Sequence, residues 1–456
     1  MQRRNATSVL LMRLRSCTTI AHTASIHGIL LKSGFLSTQM INHLINSFVR
    51  LGEMCSARQL FNEMLHPNVV SWSSIMTGYT RQGKPSTSLR MYQTMLQFSA
   101  IPNAFTLSSV INACSIVADG KTGRQAHAHV EILGFQTDLF VCSSLIDMYG
   151  KCNNLVQSRL IFDLMGLKNV VSWTSLIAAY AQSGRGTEAL HIFREFNHQT
   201  HQIQCNEVML GCAIHACSIS EAITMGKSAH GAVIRHGYDL NDVVSTALVD
   251  MYAKCGSLEY SHRAFRRIPE PSTISYTSMI VAAAKYGEGT LSLALFDAML
   301  EKRIKPNSVT LLGILHGCSH AGHVEEGLRV FVTACERFGL QPIEKHYSCI
   351  VDMLSRAGRL DEAHELAKVM NIGEDGLKAR VWGTLLAASR LHKRIDIALE
   401  ATSKVIESNA QLDGALATLS DAYAEAGEWV SAQQLRLRLM NSNVYKKPGS
   451  SWNWLR

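Results

Sequence analysis

"SSLIDMYGKC" spans Ser143–Cys152, and "TALVDMYAKC" spans Thr246–Cys255, 103 residues further on. Fainter forms flank them: "LINSF" begins at Leu44 and "IVDML" at Ile350, and with "LIDMY" at Leu145 and "LVDMY" at Leu248 the successive offsets are 101, 103 and 102. A second phrase keeps the same spacing: "NVVSW" runs from Asn68 to Trp72 and from Asn169 to Trp173, and "STISY" from Ser272 to Tyr276. A third closes on Cys114 ("INAC"), Cys217 ("IHAC") and Cys318 ("LHGC"). Recurrence at a fixed interval marks an architecture of stacked supersecondary units. The period is about 102 residues and divides into three non-identical units of roughly 35, 35 and 31.

Each unit carries the pattern of two short helices. Trp72, Ile75, Met76 and Tyr79 fall at i, i+3, i+4 and i+7, which is one face of a helix. Trp173, Leu176, Ile177 and Tyr180 repeat this face, as do Tyr276, Met279, Ile280 and Ala283. Gly83, Gly184 and Gly287 follow, where a left-handed C-cap stops a helix at least cost. A second apolar stretch comes next, such as "ALHIFREF" at Ala189–Phe196. Pro102 and Pro306 are predicted to end that second helix, whereas "THQIQCN" at Thr200–Asn206 has two extra residues and no proline. One such pair cannot bury its apolar face alone, so the units must stack into a continuous solenoid. Eleven units fit between the start and about Lys378.

Composition agrees with a folded chain: 456 residues, 47% hydrophobic and 18% charged, with 8 prolines. No window of 18 apolar residues lacks charge, so no membrane partner is expected. The net charge of +8 is concentrated at the start, where Arg3, Arg4, Arg13, Arg15, Lys32 and Arg50 precede the first acidic residue, Glu53. An Arg-bearing, acid-free opening reads as an organelle transit peptide over residues 1–37, overlapping a degenerate first unit. None of the 12 cysteines forms a CxxC, and reduced, buried thiols are expected. Cys152 and Cys255 are read as small packing residues in the turn after a helix.

The recurring phrases resemble the pentatricopeptide repeat family of plant organelles. "VVSWTSLIAAYAQSGRGTEALHIF" (Val170–Phe193) resembles its P-type unit, "FTLSSVINACSIVADGKTGRQAHAHV" (Phe105–Val130) its L-type unit, and "FVCSSLIDMYGKCNNLVQSRLIFDLM" (Phe140–Met165) its S-type unit. The stretches Val381–Glu407 and Leu416–Trp454 resemble the two halves of the family's E domain. The resemblance implies an all-α, right-handed superhelical solenoid of helix-turn-helix repeats, with the repeat array at 38–378 and an E-like helical extension at 379–456. It also implies a sequence-specific reader of single-stranded organelle RNA, about one base per unit. The organelle is expected to be the mitochondrion, with the chloroplast as the alternative. Members of this subclass are similar to site-recognition factors for cytidine-to-uridine editing. Some carry a further deaminase domain named DYW, and this chain ends before it would begin. A DYW-type deaminase and accessory editing factors would therefore act in trans, docked through residues 381–456.

By this resemblance, the base-selecting positions are the fifth and last residues of a unit. The S-type unit at Thr38 offers Asn42 and Asn68, a pyrimidine-like pair. Four units offer adenine-like pairs: Ser73 with Asn103, Ser143 with Asn169, Thr174 with Asn206, and Thr277 with Asn307. Thr246 and Ser272 form a sixth pair without a clear reading. L-type units are left unassigned. Val70, Val171, Val243 and Ile274, each second in its unit, would pack on the base face.

A cytidine deaminase needs HxE and PCxxC to build its zinc site. HxE occurs at His129–Glu131 and His323–Glu325, inside predicted repeat helices, but no PCxxC follows. No glycine-rich nucleotide loop is present, and no catalytic residue or cofactor is expected. His127 and His230 recur 103 residues apart and are read as packing residues. The alternatives to an editing factor are an RNA splicing or stability factor, and a protein-binding scaffold of the tetratricopeptide kind.

Overall fold

The computed structural model describes residues 18–33, 37–199, 204–369, 375–407 and 412–441, and these form α-helices joined by short turns, with no strand among them. The expected presequence falls largely outside the described residues. The chain divides into two compact units, one up to Tyr238 and one from Asp239. Within each, helical hairpins stack in chain order. Inside each unit the first helix of a hairpin packs on the first helix of the next, and the second helix fills the angle between them.

The hairpin starting at Val69 shows how the sequence builds one unit. Asn68 caps the helix Val69–Arg81, accepting from the amides of Val70 and Ser71, while Ser71 answers the Asn68 amide. Trp72, Ile75 and Met76 are buried on the predicted face. Gly83 takes φ +72°, so the left-handed turn falls on the expected residue, as it does at Gly184 and Gly287. Pro85 then opens the second helix, Pro85–Gln97, at a position where its missing amide costs nothing.

Proline does not end the second helix. That helix stops at Gln97, and the equivalent one at Glu301, ahead of Pro102 and Pro306. The terminator is a left-handed residue, Ser99 at φ +55° or Arg303 at φ +57°. It lets the amides of Ala100 and Ile304 reach back to the carbonyls of Met95 and Met299 at 3.2 and 3.0 Å. The prolines instead hold the extended approach to Asn103 and Asn307, which cap the next helices.

Aromatic residues lock the stack. Trp72 meets Phe61 of the preceding second helix edge-on at 4.7 Å, Trp173 meets Phe162 at 4.6 Å, and Tyr276 meets Phe265 at 5.1 Å. Small residues let helices approach: a Cβ on Gly123 would lie 2.6 Å from Sδ of Met148 in the following unit. Ten of the eleven expected units have both helices described, and the first has only Ile20–Ser33. Two more hairpins continue the series, Asp375–Leu391 with Ile395–Glu407 and Leu412–Glu425 with Trp429–Asn441. The helix Asp375–Leu391 runs through the boundary expected at 378/379.

Candidate nucleic-acid interface

Every fifth residue in the proposed reader sits one turn into a first helix, and every last residue is the N-cap of the next first helix. Asn68, Asn103, Asn169, Asn206, Ser272 and Asn307 all cap in this way. The two extra residues before Asn206 leave its register unchanged, since it caps Glu207–Ile219 through the Met209 amide at 2.9 Å. Capping engages the Oδ1 atom of each asparagine. The Nδ2 donors of Asn103, Asn169, Asn206 and Asn307 have no hydrogen-bond partner among the described residues.

The fifth residues are less open than a row of base-facing groups would be. Ser73, Ser143 and Thr277 are buried, and their hydroxyls lie 2.6–2.7 Å from the carbonyls of Val69, Leu139 and Thr273 four residues earlier. Thr174 does the same to Val170 at 2.6 Å. In four of the six pairs, hydrogen bonds join the fifth residue to the last. Asn42 donates directly to Oδ1 of Asn68 at 3.1 Å. Ser73 meets Thr106, which donates to Asn103 at 2.8 Å, and Thr277 meets Thr310, which donates to Asn307 at 3.0 Å. Thr246 is linked through Asp242 and Ser275 to Ser272. The other two pairs are not bridged among the described residues. Ser172 turns its hydroxyl to the Asn169 carbonyl, and Met209 has none to offer.

The second residues are exposed: Val70 at 45%, Val171 at 49%, Val243 at 76% and Ile274 at 66%. Two clefts bring the predicted groups together. One, of about 340 Å³, is lined by Val70, Ser73 and Asn103. Its counterpart, of about 410 Å³, is lined by Ile274, Thr277 and Asn307. Phe105 and Val309, which the sequence reading left out, line these clefts as well. Each is the second residue of an L-type unit, so a cleft lies between the second residues of successive units. An unstacked base fits such a slot, with apolar side chains on its faces and an amide donor at its edge.

The remaining candidates are structural. His129 Nδ1 lies 2.6 Å from the Tyr92 hydroxyl, and His127 Nδ1 2.9 Å from that of Tyr149. His323 is not inside a helix but takes the N-cap position of Val324–Phe338 without a side-chain capping bond, so the second HxE straddles a helix start. No group of metal-ligating side chains is gathered among the described residues. Cys152 and Cys255 are the C-caps of their first helices, in the expected turn.

Pentatricopeptide repeats match residues 40–68, 140–170, 171–197 and 345–371, the PPR repeat family matches 67–115, and a pentatricopeptide repeat domain matches 238–321. A pentatricopeptide repeat-containing protein of Arabidopsis thaliana is 48% identical over 448 residues, covering 97% of this chain and 72% of the relative. The chain belongs to the pentatricopeptide repeat family. An E motif matches residues 392–453, in keeping with the P-L-S order of the repeats. A mitochondrial Arabidopsis member is 34% identical over 92% of this chain and 75% of its own length. CRR2, described as chloroplastic, is 33% identical over 92% and 63%. The crystal structure of the maize pentatricopeptide repeat protein PPR10 has the same fold, with a TM-score of 0.64 at 16% identity over 92% of this chain and 67% of PPR10.

Proposed function

We propose that this pentatricopeptide repeat protein binds single-stranded RNA in a plant organelle and marks a cytidine for editing to uridine. The observation that carries the RNA reading is the pair of equivalent clefts, each lined by the second, fifth and last residues of a P-type unit. One base per helical repeat, read by two or three side chains, is how such repeats recognise RNA. The four adenine-like pairs give a purine-biased target, with adenine opposite the units beginning at Val69, Leu139, Val170 and Thr273.

The editing role rests on the E motif. The region 381–456 would dock a DYW-type deaminase and accessory factors, so the chain supplies address and not chemistry. Relatives described as mitochondrial and as chloroplastic support an organelle, and the basic opening agrees with import. The test is to sequence organelle transcripts from a loss-of-function line. One cytidine left unedited, downstream of a purine-biased stretch, is the expected result. Normal editing with a splicing or abundance defect would favour the stability reading.

A further inference from the structure

The thirteenth residue of many first helices is basic. In P-type units it is Arg81 or Lys285, with Gln182 in the third, and in S-type units Arg50, Lys151, Lys254 or Arg356. Arg81 lines the cleft beside Ser73 and Asn103, and both Lys254 and Lys285 line the one beside Thr277 and Asn307. These cations differ in their neighbours. Three of the four S-type cations face a carboxylate one turn earlier: Lys151 with Asp147 at 2.9 Å, Lys254 with Asp250 at 2.8 Å, and Arg356 with Asp352 at 2.9 Å; Arg50 has Asn46 at that place. Ser115 and Ser319, on the preceding L-type helices, donate to Asp147 and Asp352, both at 2.6 Å. P-type units have Thr77 or Val281 where the carboxylate would stand. No carboxylate lies within ion-pair distance of Arg81 or Lys285 among the described residues.

We propose that these aspartates impose a three-unit rhythm on phosphate contact. The RNA backbone is gripped at the P-type cations and released from attraction at the L–S junctions that carry Asp147, Asp250 and Asp352. The inference rests on the RNA reading above. A lysine paired with a carboxylate brings no net charge to the groove. A phosphate placed there gains attraction from one partner and repulsion from the other, and little counterion release follows. An unpaired arginine or lysine contributes fully, at about 0.7 in the salt slope per charge for a single strand. A serine donor at 2.6 Å holds the carboxylate in place beside the cation.

Salt titration of binding to an adenine-rich single-stranded RNA, by fluorescence anisotropy, tests this. Arg81→Gln with Lys285→Gln should make the slope shallower by about 1.4, two charges at ~0.7 each. Removing both members of a pair, Lys151→Gln with Asp147→Asn, should leave it nearly unchanged, since no net charge is lost. Asp147→Asn with Asp250→Asn should steepen it by about 1.4 and tighten binding several-fold at low salt, since two cations are unmasked. Asparagine still accepts from Ser115, and the helices' circular dichroism should not change. Weaker or unchanged binding by the aspartate variant would overturn the inference. So would a slope change as large as the P-type one when Lys151 and Asp147 are removed together. Absence of salt-dependent RNA binding by the unaltered protein would overturn the RNA reading and this inference with it.

Discussion

The hydroxyls of Ser73 and Thr106 meet at 2.6 Å although the residues are 33 positions apart, and Thr277 and Thr310 repeat the contact at 2.7 Å. Two protons serve three contacts in each network: to the helix carbonyl, between the hydroxyls, and to the capping asparagine. One contact therefore always lacks a proton. The fifth residue of one unit is thus wired to the helix start of the next.

That wiring lets stability be separated from reading at Asn103. Asn103→Ala should lose the cap and weaken the helix Ala104–Val117 by about 1 kcal/mol, seen as faster amide exchange in its first turn. Asn103→Asp keeps the cap oxygen but replaces the amide donors with an acceptor. Its exchange should stay near wild type, while binding to RNA with adenine opposite falls by about 1–3 kcal/mol. An unaltered base preference in the aspartate variant would remove Asn103 from the reader.

RNAs carrying cytosine in place of adenine opposite the units at Val69, Leu139, Val170 and Thr273 should each bind about 5- to 150-fold more weakly, at about 1–3 kcal/mol per base. The penalty should be greatest where a cleft is formed, opposite Val69 and Thr273. Indifference at all four positions would show that the assigned register is wrong.

The two echoing phrases should answer differently to exchange of one residue. A Cβ on Gly150 would collide with the Ala179 side chain and come within 3.1 Å of its Cα. Gly150→Ala should force the first helices apart at a cost of about 1–3 kcal/mol. Its counterpart is already alanine, the buried Ala253, so Ala253→Gly should cost about 1–2 kcal/mol, the helix propensity plus a lost buried methyl. Thermal denaturation makes the comparison, and a Gly150→Ala variant as stable as the unaltered protein or more so would contradict the close approach.

Burial pushes the thiol of Cys114 up to about 12, with Asp119 and Cys152 adding to the effect, and that of Cys318 up to about 11. Iodoacetamide at pH 8 should modify exposed Cys55 and spare Cys114, Cys217 and Cys318 until the protein unfolds. The unfolded thiols ionise first as pH rises. Stability should therefore be insensitive to these groups below pH ~8.5 and decline from there through the folded-state values. Mass spectrometry of the labelled native protein decides the matter: early labelling of Cys114 would contradict its packing.

The hairpins, their glycine stops and the buried face of Trp72 were legible because helix periodicity and C-cap chemistry are local. The end of the second helix was not, because Ser99 and Arg303 adopt φ > 0 without the glycine that advertises it. The interface was half legible. Val70 and Asn103 could be placed by register, but Phe105 belongs to a unit whose own code is unread, and only stacking brings it to Val70. The Lys151–Asp147 pair is an i, i+4 spacing inside one helix, but the Ser115 that donates to Asp147 comes from the adjacent unit, which no single unit reveals.

The cap geometry has a consequence for how such a protein can evolve. Asn68, Asn103, Asn169, Asn206, Ser272 and Asn307 must each start a helix before they can contact anything else. Only a few side chains do that well: asparagine, aspartate, serine and threonine. The vocabulary open to mutation at these sites is therefore restricted by folding. On the proposed reading, a lineage would change the message it recognises by moving among those few letters, and a wider departure would unravel the page on which it is written.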